Sequence, residues 1–359
     1  MLNTLGQIFQ VHTFGESHGK GLGAVIDGCP AGVVVDEALL QDHLNKRRPG
    51  QSNISTERTE RDQAEILSGV FNGKTTGAPI AVLVRNADAK PADYDALKDV
   101  YRPSHADFTY AHKYGHRDYR GGGRSSARTT LSWVIGGAFA AMYLNQVSKI
   151  KLGAYVSQVH QLKLSKNYPL SALQQMDNAV RCPDVELAKE MEQIILAAKN
   201  DGDSLGGTIT CLINGLEAGL GEPQFGKLQA QLAHAMMSIN ATKGFEYGAG
   251  FDSANHKGSE LNDEPENLID TGIKTKTNHS GGMVGGISNG EDVHFKVAFK
   301  PTATIGKTQQ TINTDGEKVI LAAKGRHDPC VLPRAVAIVE AMTWLVLADA
   351  WLMNLSSKV

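Results

Sequence analysis

Cysteine is scarce in this sequence. Only Cys29, Cys182, Cys211 and Cys330 occur in 359 residues, widely scattered and with no Cys-x-x-Cys pair. Such spacing indicates neither a disulfide framework nor a zinc site. An excess of charge is also missing: 36 basic residues stand against 38 acidic ones, a formal net charge of −2. Nucleic-acid-binding domains usually carry a strong basic excess, so no nucleic-acid partner is expected. The N-terminus shows no charged segment followed by an apolar core, so no secretory signal is expected. Long apolar runs are nearly absent. Residues 131–144 are too few to span a bilayer, and residues 335–353 contain Glu340 and Asp349, which are costly in lipid. Both stretches are expected as buried core helices, with no membrane partner and a reducing cytoplasmic location. Neither a Walker A spacing nor a Gly-x-Gly-x-x-Gly fingerprint accompanies the glycines discussed below.

What remains is an ordinary globular composition, 41% hydrophobic and 21% charged. No low-complexity linker divides the chain, so a single domain over residues 1–359 is expected. Within it, arginine clusters locally. Residues 113–128 hold Arg117, Arg120, Arg124 and Arg128, the run Gly121-Gly122-Gly123, and Ser125-Ser126, directly ahead of an apolar helical pattern at 129–144. Glycines let the backbone approach a ligand closely. The serines stand where a helix N-cap falls, and a helix beginning there aims a partial positive charge into the loop. Arginine forks suit carboxylate or phosphate. The local reading is an anion site, with a basic loop or an RNA-binding Arg/Gly patch as alternatives; the near-neutral net charge weakens the RNA reading.

Other segments sort by periodicity. Residues 8–14 alternate as a strand and lead into the glycine-framed turn Gly15-Glu16-Ser17-His18-Gly19; residues 22–26 form the next strand, which projects Ser17 and His18 from a hairpin end. Asp36 caps a helix carrying Leu39, Leu40 and Leu44, which stops at Arg47-Arg48-Pro49-Gly50. A helix C-terminus accounts for one or two of the cations there; Arg47 and Arg48 are therefore kept as anion ligands. Residues 80–84 are a buried strand, and 88–99 an exposed excursion. His105, His112 and His116 lack the spacing of a helical metal pair, so no metal is expected and one of them is read as a general acid or base. Downstream, Asp184 starts an amphipathic helix, and Thr208 to Ile213 alternate as a strand. A second helix carries Phe225, Leu228, Leu232, Ala235 and Met236, and a strand covers 243–252. Residues 255–280 are polar. Val293, Phe295, Val297 and Phe299 mark a strand. A short strand at 319–323 and a helix at 333–352 close the chain. Strands followed by a long buried helix recur in each half, a hint of internal pseudo-symmetry.

Five segments, taken in order, carry a family resemblance. Residues 15–19, Arg47-Arg48-Pro49-Gly50, Arg102-Pro103-Ser104-His105-Ala106-Asp107, the run from Gly121 to Arg128, and Gly325-Arg326-His327-Asp328-Pro329-Cys330 resemble the signatures of chorismate synthase. The resemblance covers essentially the whole chain. It implies an α+β fold, a β-α-β sandwich with helices between antiparallel sheets, and a homotetramer. It implies a 1,4-anti elimination of phosphate from 5-enolpyruvylshikimate 3-phosphate that yields chorismate and requires reduced FMN without net redox change. It leaves room for NADPH as an indirect reductant and for a separate flavin reductase as partner.

The resemblance also implies roles. His18 assists the leaving phosphate, and His105 protonates the flavin near N1. Asp328 takes part in C6 deprotonation through flavin N5, and Ser17 and Ser126 relay protons. Flavin contacts map onto Arg124, Ser125, Ser126, Asn240, Ala241, Gly285, Lys300, Pro301, Thr302, Ala303, Thr304 and Arg326. Arg47, Arg48, Arg128 and Ser17 map onto the substrate, whose two carboxylates and phosphate suit arginine forks. One departure stands out. Many bacterial relatives have arginine where this chain has Asn53, which puts direct NADPH binding in doubt unless Arg47 or Arg58 compensates. Two other classes remain. A flavin-dependent oxidoreductase would consume NADPH steadily. An Arg/Gly nucleic-acid module would need no flavin and would show steep salt dependence.

Overall fold

Two antiparallel sheets of five strands each face one another across a layer of helices. The computed structural model describes residues 3–56, 60–86, 97–321 and 328–358. The first sheet runs, in spatial order, Thr4–Leu5, Gln10–Gly15, Gly21–Asp27, Ile80–Arg85 and Ala64–Ile66. The second runs Thr242–Tyr247, Val293–Phe299, Gly207–Asn214, Lys151–Val159 and Leu162–Lys163. Between them lie the helices Thr130–Val147 and Leu332–Asn354, packed on each other. The first also packs on strands of the first sheet, the second on strands of the second. This is the expected α+β sandwich, and each half ends in its own long buried helix.

The reason lies in the sequence pattern. In Val293–Phe299 the alternating apolar residues are all buried and the residues between them half-buried, so the strand offers one face to the helices. The helix Thr130–Val147 is apolar almost all round, as a helix covered on every side must be. Gly136 and Gly137 make that enclosure tight. A Cβ at Gly137 would sit 2.5 Å from the Cα of Ala341, and one at Gly136 would sit 2.6 Å from Val11 Cγ2. The two acidic residues of the last helix serve the fold. Glu340 accepts the Ala154 N–H at 2.9 Å, and burial raises its carboxyl above the usual range. Asp349 accepts the N–H groups of Gln7, Ile8 and Phe9 at 2.9, 2.7 and 3.0 Å, tying the N-terminal segment to the C-terminal helix. The helix is long and apolar enough to cross a membrane by length and composition, but it lies between the layers.

Several expectations need correction. Phe225 is 95% exposed and stands ahead of its helix, which spans Leu228–Met237. The turn at 224–227 and Gly226 delay the start, and Leu228 is the first residue to reach the core. The strand at 243–252 ends at Tyr247 and gives way to the 3-10 helix Gly250–Asn255. The polar stretch after it folds into the hairpin of Pro265–Ile269 and Gly272–Thr275. The last short strand is Lys318–Leu321; residues 322–323, residues 88–96 of the expected excursion and Arg58 lie outside the described residues.

The contact at Gly137 gives a direct test. Gly137→Ala should lower stability by about 1–3 kcal/mol, because overpacking forces the helices apart. Denaturant unfolding measures it, and an unchanged midpoint would show that the helix crossing has slack.

Candidate active site

The hairpin of Gln10–Gly15 and Gly21–Asp27 ends in the turn that carries Ser17 and His18. Gly121 presses on that turn. Its φ is +113°, and a Cβ there would lie 2.4 Å from His18 Cδ2 and 3.1 Å from Ser17 Oγ. Only glycine fits both the conformation and the space. Gly123 also has positive φ, +52°, but faces open space, as a backbone available to a ligand does. The Ser-Ser segment caps a different helix from the one expected. Ser126 Oγ accepts the Arg128 N–H at 3.2 Å and caps the 3-10 helix Ala127–Thr129; the α-helix begins after it, without a side-chain cap. The Ser-Ser segment therefore does not form the α-helix N-terminus expected of it.

Behind the loop lies a buried ion cluster. Arg47 is 1% exposed. Its Nε donates to Thr130 Oγ1 at 3.2 Å, Nη1 to Asp62 Oδ2 at 3.0 Å, and Nη2 to the carbonyls of Ala127 and Arg128 at 3.0 and 3.4 Å. Burial, then neighbouring Arg334, pull its pKa down to about 10, with Asp62 opposing; it stays cationic at neutral pH. Arg128 pairs through Nη1 with Asp62 and Glu60. Its Nε and Nη2 donate to Asn86 Oδ1 at 3.3 and 3.1 Å. A guanidinium has five N–H donors; in Arg128 these contacts leave one Nη2 hydrogen over. Asp328 closes the cluster. It accepts the Thr56 N–H at 3.0 Å and pairs with Arg334, whose Nε donates to the Arg47 carbonyl at 3.0 Å. The Asp328 side chain does not cap the last helix.

His105 sits in a second cluster. Asp107 takes a two-pronged contact from Arg102, 2.8 Å from Nε and 2.7 Å from Nη2, and faces Arg117 at 3.3 Å. Burial alone would raise its carboxyl. The hydrogen bonds from Arg102 and His105 outweigh it and hold the group well below the carboxylate range. His105 Nδ1 lies 3.0 Å from Arg102 Nη2 and 3.2 Å from Asp107 Oδ1. One ring nitrogen cannot accept from the first and donate to the second at once, so its protonation selects the partner. Lys300 Nζ donates to Ser104 O at 3.3 Å, and its N–H to Ala241 O at 2.9 Å. Burial and Lys243 lower its ammonium pKa. Ser104 and Ala241 have φ of +55° and +69°, and Asp62 +46°. Non-glycine residues held there cost about 1–3 kcal/mol each, and such strain gathers at sites.

These contacts close a ring. Asn240 Nδ2 donates to Ser125 O at 2.8 Å, and Thr302 Oγ1 to Asp328 O at 3.1 Å. The ring thus joins His18, Ser125, Asn240, Lys300, His105, Asp328, Arg47 and Arg128. Arg124 turns to the first sheet: it donates to Gly15 O at 3.0 Å and to Thr13 Oγ1 at 2.5 Å. With Ser125 it borders a cavity of about 780 Å³ that also meets Tyr110, Trp133 and Asp349; His18, Arg128 and Asp328 do not line it. Pro301, Ala303 and Thr304 follow Lys300 in the loop after Val293–Phe299. Gly285 occupies the tight hairpin of Met283–Val284 and Ile287–Ser288, and no contact here ties it to the ring. Arg326 lies outside the described residues. Asn53 is held against the helix Val185–Asn200, donating to Glu192 at 3.0 Å and accepting from Lys199 at 2.8 Å.

Sequence reasoning missed Glu60, Asp62, Asn86 and Arg334. None sits in a motif, and each acts across the fold. Asp107 stood inside a quoted motif, and its pairing with Arg102 five residues away was the available signal. Among the described residues no group of three or more His, Cys, Asp or Glu side chains is placed to hold a metal. Asp62→Ala should cost about 3–5 kcal/mol in denaturant unfolding, because it leaves the Arg47 cation buried and unpaired; a loss under about 1 kcal/mol would mean that the cluster is not a structural anchor.

The comparisons with known proteins agree with one another. A family model described as chorismate synthase matches residues 9–352. The chain is 55% identical over 358 residues to chorismate synthase of Christiangramia forsetii, covering 99% of both chains. It is 56% identical over 355 residues to that of Bacteroides fragilis, again covering 99% of both. A solved crystal structure of chorismate synthase aligns with a TM-score of 0.79 at 32% identity, over 98% of this chain and 94% of the other. Matches of this extent, on a fold that gathers the motif residues into one ring, place the chain in the chorismate synthase family.

Proposed function

We propose that this chain eliminates phosphate from 5-enolpyruvylshikimate 3-phosphate to form chorismate, with reduced FMN bound beside the substrate. One observation carries the reading. Ser17 Oγ, Arg48 Nε and Asn240 Oδ1 are buried polar atoms without a hydrogen-bond partner among the described residues. Buried polar groups are nearly always satisfied. Three expected ligand-contacting residues thus hold unmet hydrogen-bonding capacity, which suits a polar, anionic pair of ligands. Reduced FMN, when bound, supplies electron density for cleavage of the C–O bond and recovers it.

The residues divide by what they have left to give. Arg47 is enclosed, with its contacts made inside the protein, so we assign it to framing the site. Arg48 has an open Nε, and Arg128 retains one N–H; these are the substrate arginines. His18, pressed between Gly121 and its own turn, delivers a proton to the departing phosphate, which makes phosphate the better leaving group. His105, in place beside Asp107, would hold a proton for the flavin when it is bound. Asp328 accepts the C6 proton, and Ser17 and Ser126 relay protons. Lys300, Thr302, Thr304 and the backbone at Gly285 hold FMN together with Arg124, Ser125, Asn240, Ala241, Pro301, Ala303 and Arg326. We further assign the chain to a cytoplasmic homotetramer. Its reduced flavin comes from a separate reductase or from NADPH acting indirectly. Four free buried cysteines fit a reducing compartment: burial pushes Cys29 and Cys330 up to about 12.

Anaerobic incubation with chemically reduced FMN and the substrate should yield chorismate and phosphate in equal amounts; phosphate without chorismate would overturn the reading. In that assay, Arg48→Ala and Asp328→Asn should separate. Arg48→Ala loses a charge-assisted contact of about 1.5–3 kcal/mol and raises KM. Asp328→Asn keeps an acceptor for the Thr56 N–H and the fold, yet lowers kcat by about 10²-fold or more, since an amide cannot take up a proton. A shift of KM alone in Asp328→Asn would remove it from proton transfer.

A further inference from the structure

Two parts of the ring come from distant places in the sequence, the Ser17–His18 turn and the Arg128 guanidinium, and one side chain touches both. We propose that Asn86 is a positioning residue that fixes the proton-donating turn relative to the anion-binding arginine. The inference rests on the function proposed above for His18 and Arg128.

The geometry assigns the two ends of the amide separately. Asn86 follows the strand Ile80–Arg85, and its own N–H donates to Lys20 O at 3.2 Å. Its Oδ1 accepts from Arg128 Nε at 3.3 Å and Nη2 at 3.1 Å. Its Nδ2 faces three carbonyls of the turn, Gly19 at 2.8 Å, Glu16 at 3.3 Å and Ser17 at 3.4 Å. A guanidinium only donates and a carbonyl only accepts, so the amide has one allowed orientation. Within the turn, the Gly19 N–H also donates to Glu16 O at 3.1 Å. Asn86 therefore staples the turn's carbonyls, while Gly121 packs close against His18. An aspartate would keep the acceptor for Arg128 but offer the carbonyls no donor. An alanine would lose both. Moving a reacting group by about 1 Å can cost about 10²-fold in rate, so the staple acts on turnover through His18.

The test uses the full chain with the phosphorylated substrate and chemically reduced FMN under anaerobic conditions, together with backbone hydrogen exchange. Asn86→Asp should lower kcat by about 10- to 100-fold with KM within about threefold of wild type, because Arg128 keeps its partner. Asn86→Ala should lower kcat as far and also raise KM by about tenfold. In both variants protection of the Gly19 amide should fall by about tenfold, while the amides of Ile80–Arg85 keep theirs. Equal shifts of kcat and KM in Asn86→Asp, turnover within about twofold of wild type in both variants, or unchanged Gly19 protection would overturn the proposal. If wild-type protein forms no chorismate, the functional reading fails, and the exchange measurement alone decides whether Asn86 holds the turn.

Discussion

A cation with no access to water organises this protein. The Arg47 guanidinium is enclosed, and an unpaired buried charge would be intolerable, so its partners must be brought to it. They come from two places: Asp62, and the 127–130 segment with the hydroxyl of Thr130 and the carbonyls of Ala127 and Arg128. Meeting them clamps the end of the helix Glu37–Arg47 to the start of the helix Thr130–Val147. It also fixes Asp62, whose second oxygen takes Arg128. From Arg128 the order passes to Asn86 and on to the His18 turn. From the Arg47 carbonyl it passes through Arg334 to Asp328. The site is a consequence of satisfying one buried arginine.

The same logic explains where the backbone is strained. Ser104 and Ala241 adopt left-handed conformations, and both carbonyls are held by Lys300. The strained residues are thereby fixed in place by the very lysine expected to contact the flavin. The groups around this site are thus positioned by contacts within the chain itself. Among the described residues, the buried atoms without a hydrogen-bond partner, Ser17 Oγ, Arg48 Nε and Asn240 Oδ1, are its open positions.

Much of this was legible in the sequence, and for identifiable reasons. The caps at Asp36 and Asp184 worked as expected, each side chain accepting an N–H three residues on. The strict alternation of Val293–Phe299 gave its strand bounds. The two apolar stretches became the central helices. The motifs also marked residues that the fold brings together, Arg47, Arg128, His18 and Asp328 among them. The roles of the arginines were not legible. Arg47 and Arg48 are neighbours of one chemistry, yet one is enclosed and the other has an open donor. That difference arises from which way the chain leaves the helix at Arg48. Asn86 and Asp62 were invisible because their partners lie 42 and 15 residues or more away in sequence, and no local periodicity records such a contact. Phe225 misled because a helical spacing continued one turn past the real start of its helix.

In the proposed function, flavin and phosphorylated substrate share the ring of residues around His18, Asn240 and Lys300, each completing the site for the other. Fluorescence titration of oxidised FMN, with and without saturating 5-enolpyruvylshikimate 3-phosphate, tests it most directly. Substrate should tighten FMN binding by about tenfold or more, and by linkage FMN should tighten substrate binding by the same factor. Equal FMN affinity in the presence and absence of substrate would contradict it.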